Sequence, residues 1–264
     1  MIDKSNSSII RGVMIAWLVG WYIKGYFYFP YLFHEIAVVP IQNSFFPVVF
    51  SAPLAAQFAY ALPILIILTI FQSEPRFFPL SSCLMIFSSA ILCWHKDTYS
   101  DATFVTSFWV ALWLLWVSIH IKRVDAGFRL HAKMLAVFIL SIVFMGGLVG
   151  KLTPEYWNGH ILYHIFIAQN NHWPFFGLKK LLSLGHLQLL CMVIARCIIG
   201  VEMFLSFSLF LPFRLVRFWA PLVMGGMTLF STWRILSVLS CLIGMIWFCG
   251  RWESLSAQER GEGQ

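Results

Sequence analysis

The chain has 264 residues, of which 60% are hydrophobic, 17% aromatic and only 11% charged. Soluble domains carry about 25% charged residues, so a water-exposed fold is excluded and hydrocarbon is the expected solvent. The net charge of +7 then points to basic loops facing anionic lipid rather than to nucleic acid, and membrane lipid is the first expected partner.

A membrane helix needs about 20 apolar residues. In chain order the apolar runs predict spans near 12–33, 54–72, 77–94, 103–121, 132–150, 187–211, 215–231 and 235–250. The fold class is therefore all-α, a polytopic transmembrane bundle of about eight helices. It forms one helical domain over 1–252, followed by a polar tail at 253–264 that reads as disordered. The last two spans could also form one long broken segment. The first run is too long for a signal-peptide core and stays as a membrane helix. No lipidation signal stands at either end.

With a cytoplasmic N-terminus and eight spans, 11 Lys and Arg fall on inner segments and 5 on outer ones, with Lys24 and Arg196 inside helices. That bias obeys the positive-inside rule. The Lys122–Lys133 loop is the strongest anchor, and both termini read as cytoplasmic, in a bacterial cytoplasmic membrane. Two outer loops are long, 34–53 and 151–186. The second is rich in Tyr, Trp, His and Asn, which suits a headgroup layer. Short interfacial helices are expected at 160–169 and 176–184. The six cysteines form no CxxC pair and read as small buried hydrophobes.

Soluble-enzyme motifs are missing: there is no GxGxxG before a helix, no GxxxxGK[ST], no HExxH and no GxSxG. What remains are ionisable groups close to the membrane. Lys151 follows the apolar run 137–150. A lysine there is either a snorkelling anchor or, if buried, an amine whose ammonium form is disfavoured so that it serves as a base. Glu202 and Arg196 lie mid-helix, six residues apart. They read either as a structural ion pair with another helix or as a proton- or quinone-handling site, and Lys24 is a candidate partner for Glu202. Asp97 and Asp101 read as solvated loop residues, with tuning of His95 as the alternative. His160, His164 and His172 lack the cysteine or acidic partners of a zinc site, so no metal is expected.

The segment Gly147-Leu148-Val149-Gly150-Lys151-Leu152-Thr153-Pro154-Glu155-Tyr156-Trp157-Asn158-Gly159 resembles the GxxKLxxxWxxG segment of the vitamin K-dependent γ-glutamyl carboxylase family and of its bacterial relatives, the horizontally transferred transmembrane proteins. Trp157 lies one residue further on than in that pattern. Arg196 to Glu202, followed by Arg214 and Arg217, is similar to a later helix of the family with an internal Glu. Trp94-His95-Lys96-Asp97-Thr98-Tyr99 resembles a Trp-Asn-Asn-His-x-Tyr region without its two Asn. The likeness covers about residues 80–230. It implies Lys151 as the base that deprotonates a vitamin K-type quinol, His95 as its hydrogen-bonding partner, and Tyr156, Trp157, Glu202 and Arg196 as substrate- or quinone-binding residues. The large β-rich domain that helps the carboxylase bind protein substrates has no counterpart among these 264 residues. Two alternatives follow: a non-catalytic scaffold for a membrane or periplasmic redox or thiol-oxidoreductase partner, and a small transporter. Transporters usually show two related halves, and no such repeat is evident.

Overall fold

A computed structural model describes residues 4–33, 49, 52–72, 74–95, 101–121, 125–168, 173–230 and 233–259. Among them no strand occurs. In chain order the helices are α1 (Lys4–Phe33), α2 (Pro53–Ala61), α3 (Ile64–Gln72), α4 (Phe78–Cys93), α5 (Ala102–His120), α6 (Ala126–Val149), α7 (Pro154–Trp157), α8 (His160–Tyr163), α9 (Trp173–Leu181), α10 (Leu184–Ser206), α11 (Phe213–Phe230) and α12 (Trp233–Glu259). A 3-10 turn, Pro75–Phe77, leads into α4. A π turn, His164–Ala168, follows α8.

Among the described residues, five helical stretches are long and apolar enough to cross a membrane: Pro75–Cys93, Ala102–His120, Ala126–Val149, Leu184–Phe210 and Ile235–Trp252. They match five of the eight expected spans. The expected span at 54–72 is a shorter apolar helix, Leu54–Ile70, with a turn at Leu62 and Pro63 between α2 and α3, because proline lacks the N–H the ladder needs and crowds the preceding turn. α1 and α11 are helical over the remaining expected spans, α1 carrying Lys4, Arg11 and Lys24 and α11 carrying Arg214 and Arg217.

One other expectation is corrected. The Lys122–Lys133 loop is shorter than read, because α6 begins at Ala126 and takes Arg129 and Lys133 into its first turns. Asp125 starts it, accepting a hydrogen bond from Phe128 N–H at 2.6 Å on Oδ1, a carboxylate among the orphan N–H groups of a helix start. The last helix, α12, runs on to Glu259. By its internal packing the chain falls into two compact units, Met1–Ala136 with Phe213–Gln264, and Val137–Pro212.

In the first unit α1 packs along α12, and α4 along α5. Trp17, Trp21, Trp113 and Trp252 are all fully buried there. A buried indole needs an acceptor for its N–H, and each has one. Trp17 donates to Ser107 O at 2.9 Å, Trp21 to Tyr60 O at 3.1 Å, Trp113 to Ala132 O at 3.0 Å and Trp252 to Asn6 Oδ1 at 3.0 Å. These bonds tie distant segments of the sequence in one register. Gly244 lies against Ala16 with no room for a side chain, which lets α1 and α12 approach closely.

The first unit also buries an ion pair. Lys24 Nζ lies 2.7 Å from Asp101 Oδ2, with the two side chains 8% and 14% exposed. Asp101 is not the solvated loop residue the sequence suggested. It also caps α5, accepting from Thr103 N–H at 2.9 Å.

In the second unit the core stripe of α10 runs Leu187, Cys191, Ala195 and Ile199. Successive steps of four residues keep one helical face. Glu202 continues that stripe and is buried with it. Leu148, Tyr156 and Leu162 pack into the same cluster.

Candidate functional site

The site grows from the way α6 ends. After Val149 the chain turns: Lys151 N–H reaches Leu148 O at 2.9 Å. Thr153 then caps α7, with Oγ1 accepting from Tyr156 N–H at 3.3 Å, and Pro154 opens it, where a missing N–H costs nothing. Gly159 closes the short helix at φ 76°. A Cβ at Gly159 would collide with the backbone of Cys191 and Met192, so only glycine permits both the left-handed turn and the contact with α10.

This fold of the 147–159 segment sets Lys151 beside Glu202. The amine donates to Glu202 Oε1 at 2.8 Å and to Gly147 O at 3.3 Å. Burial is unequal: the Lys151 side chain is 27% exposed and that of Glu202 is 6% exposed. Glu202 Oε2 is buried with no hydrogen-bond partner among the described residues. Both carboxylate oxygens lie near Gly147, where a Cβ would stand 3.5 Å from each, so the helix backbone forms one wall of the carboxylate's space.

Aromatic rings complete the surroundings. Lys151 Nζ lies 5.8 Å from the centre of the Tyr156 ring, within reach of a cation–π attraction. Tyr156 is itself buried. That burial, reinforced by the charge of Glu202, holds its phenol well above the usual tyrosine range and keeps it a neutral donor. On the outer side the Arg196 guanidinium lies 5.2 Å from the Trp157 ring centre, and both residues are exposed.

Five of the six expected site residues therefore gather in one unit as two contacts: Lys151 with Glu202 and Tyr156, and Arg196 with Trp157. His95 belongs to the first unit, in the turn after α4, and is 1% exposed. Lys24 does not supply the partner of Glu202. It pairs with Asp101, while Lys151 takes that place. Lys96, Asp97, Thr98, Tyr99 and His172 lie outside the described residues.

Beyond Trp157 a groove of about 270 Å³ opens between the α7–α8 turn and the start of α10. Asn158, His160, Tyr163 and Gln188 line it together with Leu189 and Met192. From the sequence His160 reads as an interfacial histidine or a metal ligand, and Gln188 carries no signal. Among the described residues no group of three His, Cys, Asp or Glu side chains is placed to hold a metal ion.

Chemically, the arrangement can hold a proton between a half-accessible amine and a buried carboxylate. A hydrogen bond of 2.8 Å between an amine and a carboxylate is short and charge-assisted. No family model, curated protein or solved structure matches this chain.

Proposed function

We propose that this chain is an integral membrane protein of about eight helices that handles a proton at the Lys151–Glu202 pair, in the manner of the vitamin K-dependent carboxylase family it resembles. Both termini lie on the cytoplasmic side of a bacterial membrane, with the pair at the outer face. The observation that carries the reading is the contact of a partly accessible amine with a buried carboxylate at 2.8 Å. Ionisable groups inside membrane segments are costly, and most serve a function.

Lys151 passes its proton along that bond to Glu202 Oε1 and takes one in turn from a hydroxyl group presented at its open side. The pair ends as an ammonium beside a carboxylic acid, and the ammonium stays to hold the anion it has made. An isoprenoid quinol is the hydroxyl compound implied by the resemblance, and supplies a base after reacting with oxygen. The residues present suit such a group: Trp157 and Tyr156 offer ring faces, Arg196 a cation, and Glu202 Oε2 an acceptor without a partner among the described residues.

The test uses purified protein in lipid nanodiscs with a menaquinol analogue, oxygen, labelled bicarbonate and a glutamate-containing peptide. Wild type is expected to fix label, and Lys151→Ala to fix none while still folding. Equal turnover by Lys151→Ala would overturn the reading. A second reading, a non-catalytic scaffold for a membrane or periplasmic protein, draws on the fact that the Lys151 amine already donates to Glu202 and Gly147. It predicts an inert wild type that co-purifies with its partner whether or not Lys151 is replaced.

A further inference from the structure

We infer that the groove between the α7–α8 turn and the start of α10 binds the uncharged, oxygen-bearing head of a membrane amphiphile. The inference does not rest on proton transfer at Lys151.

Its polar lining comes from Asn158, His160, Tyr163 and Gln188, and none of the lining residues is Lys, Arg, Asp or Glu. Two carboxamides, an imidazole and a phenol both donate and accept hydrogen bonds. They match hydroxyl and carbonyl groups, whereas a phosphate head calls for the lysine or arginine that the lining lacks. Leu189 is 54% exposed and continues from the groove along α10, where an alkyl chain can lie against it. A few placed polar groups on an apolar floor is the usual composition of a small-ligand site.

Three features give the groove its shape. Gly159 brings the turn onto the backbone of α10 with no clearance, so the walls cannot shift independently. The π turn His164–Ala168 begins directly after Tyr163, and such turns concentrate at functional positions because the wider helix re-aims its side chains. Ser183 Oγ, 2.7 Å from His186 Nδ1, fixes the first turn of α10, which carries Gly185 into the lining.

Native mass spectrometry of the purified full chain tests this with three probes: dioleoylglycerol, monooleoylglycerol and dioleoylphosphatidylglycerol. At least one neutral probe is expected to bind to wild type and to weaken at least tenfold in Gln188→Leu and in Asn158→Leu. Gln188 and Asn158 are exposed, so both variants are expected to fold, which circular dichroism checks. Lys151→Ala is expected to bind the neutral probe as wild type does, which separates this inference from the proton-handling reading. Tighter binding of the phosphatidylglycerol than of either neutral probe would overturn it. So would neutral binding that both groove variants leave unchanged, or no neutral binding at all.

Discussion

Replacing Lys151 with alanine removes the ammonium that faces Glu202 and leaves a carboxylate whose side chain is 6% exposed. At 2.8 Å the gross attraction is about 6 kcal/mol for an effective dielectric near 20, and the cost of drying both groups offsets much of it. Breaking a fully buried pair costs about 3–5 kcal/mol. Water already reaches the lysine, which is 27% exposed, so about 2–3 kcal/mol is expected here. Glu202→Gln keeps the shape and leaves the ammonium at the accessible end, so it should cost only about 1–2 kcal/mol. The double variant Lys151→Ala with Glu202→Gln should lose less than the sum of its parts by about 1–2 kcal/mol. Reversible unfolding in mixed micelles, titrated with a denaturing detergent, measures all of these. Additivity within about 0.5 kcal/mol would refute the claim that the two groups act as one unit.

Gly159→Ala should destabilise by about 2–4 kcal/mol, from the left-handed backbone and the collision with α10. Gly177→Ala in α9 meets nothing within 4 Å and should be neutral or stabilising by up to about 1 kcal/mol; paired thermal melts compare them. Asp101→Ala loses both the cap on α5 and the carboxylate facing Lys24, for about 3–5 kcal/mol, whereas Asp101→Asn keeps the cap and should lose less by the same unfolding assay. The Tyr156 phenol is held protonated by burial and by Glu202. Because its folded value lies above the unfolded one, its contribution is complete below about pH 10 and is lost as pH climbs beyond that. Tyr156→Phe should flatten this alkaline loss of stability, and an unfolding series across that range reads it.

Much of the site was legible because it is local. Lys151, Tyr156 and Trp157 share one short segment whose Thr-Pro start and Asn-Gly end are recognisable helix and turn signals. Glu202 stood out as a charge in an apolar run. Its partner did not, because 51 residues separate the two and helical periodicity says which face a residue occupies, not which helix it meets. The same limit misdirected Lys24 to Glu202 when its carboxylate lay on Asp101. Asp101 itself carried a readable signal, an Asp directly before an apolar run, that a loop reading set aside. Pro63 lies inside the apolar run 54–72, where it places a turn between α2 and α3. The groove left no mark in the sequence beyond Gly159, since its lining draws on the starts of two helices that only tertiary packing brings together.

Infrared difference spectroscopy of the protein in nanodiscs, before and after adding a menaquinol analogue, looks directly at the proton held by the pair. A carboxylic-acid carbonyl band should grow on addition in wild type and fail to grow in Glu202→Gln and in Lys151→Ala. Growth of the same band in Glu202→Gln, or no change in wild type with the quinol bound, would contradict proton transfer at this site.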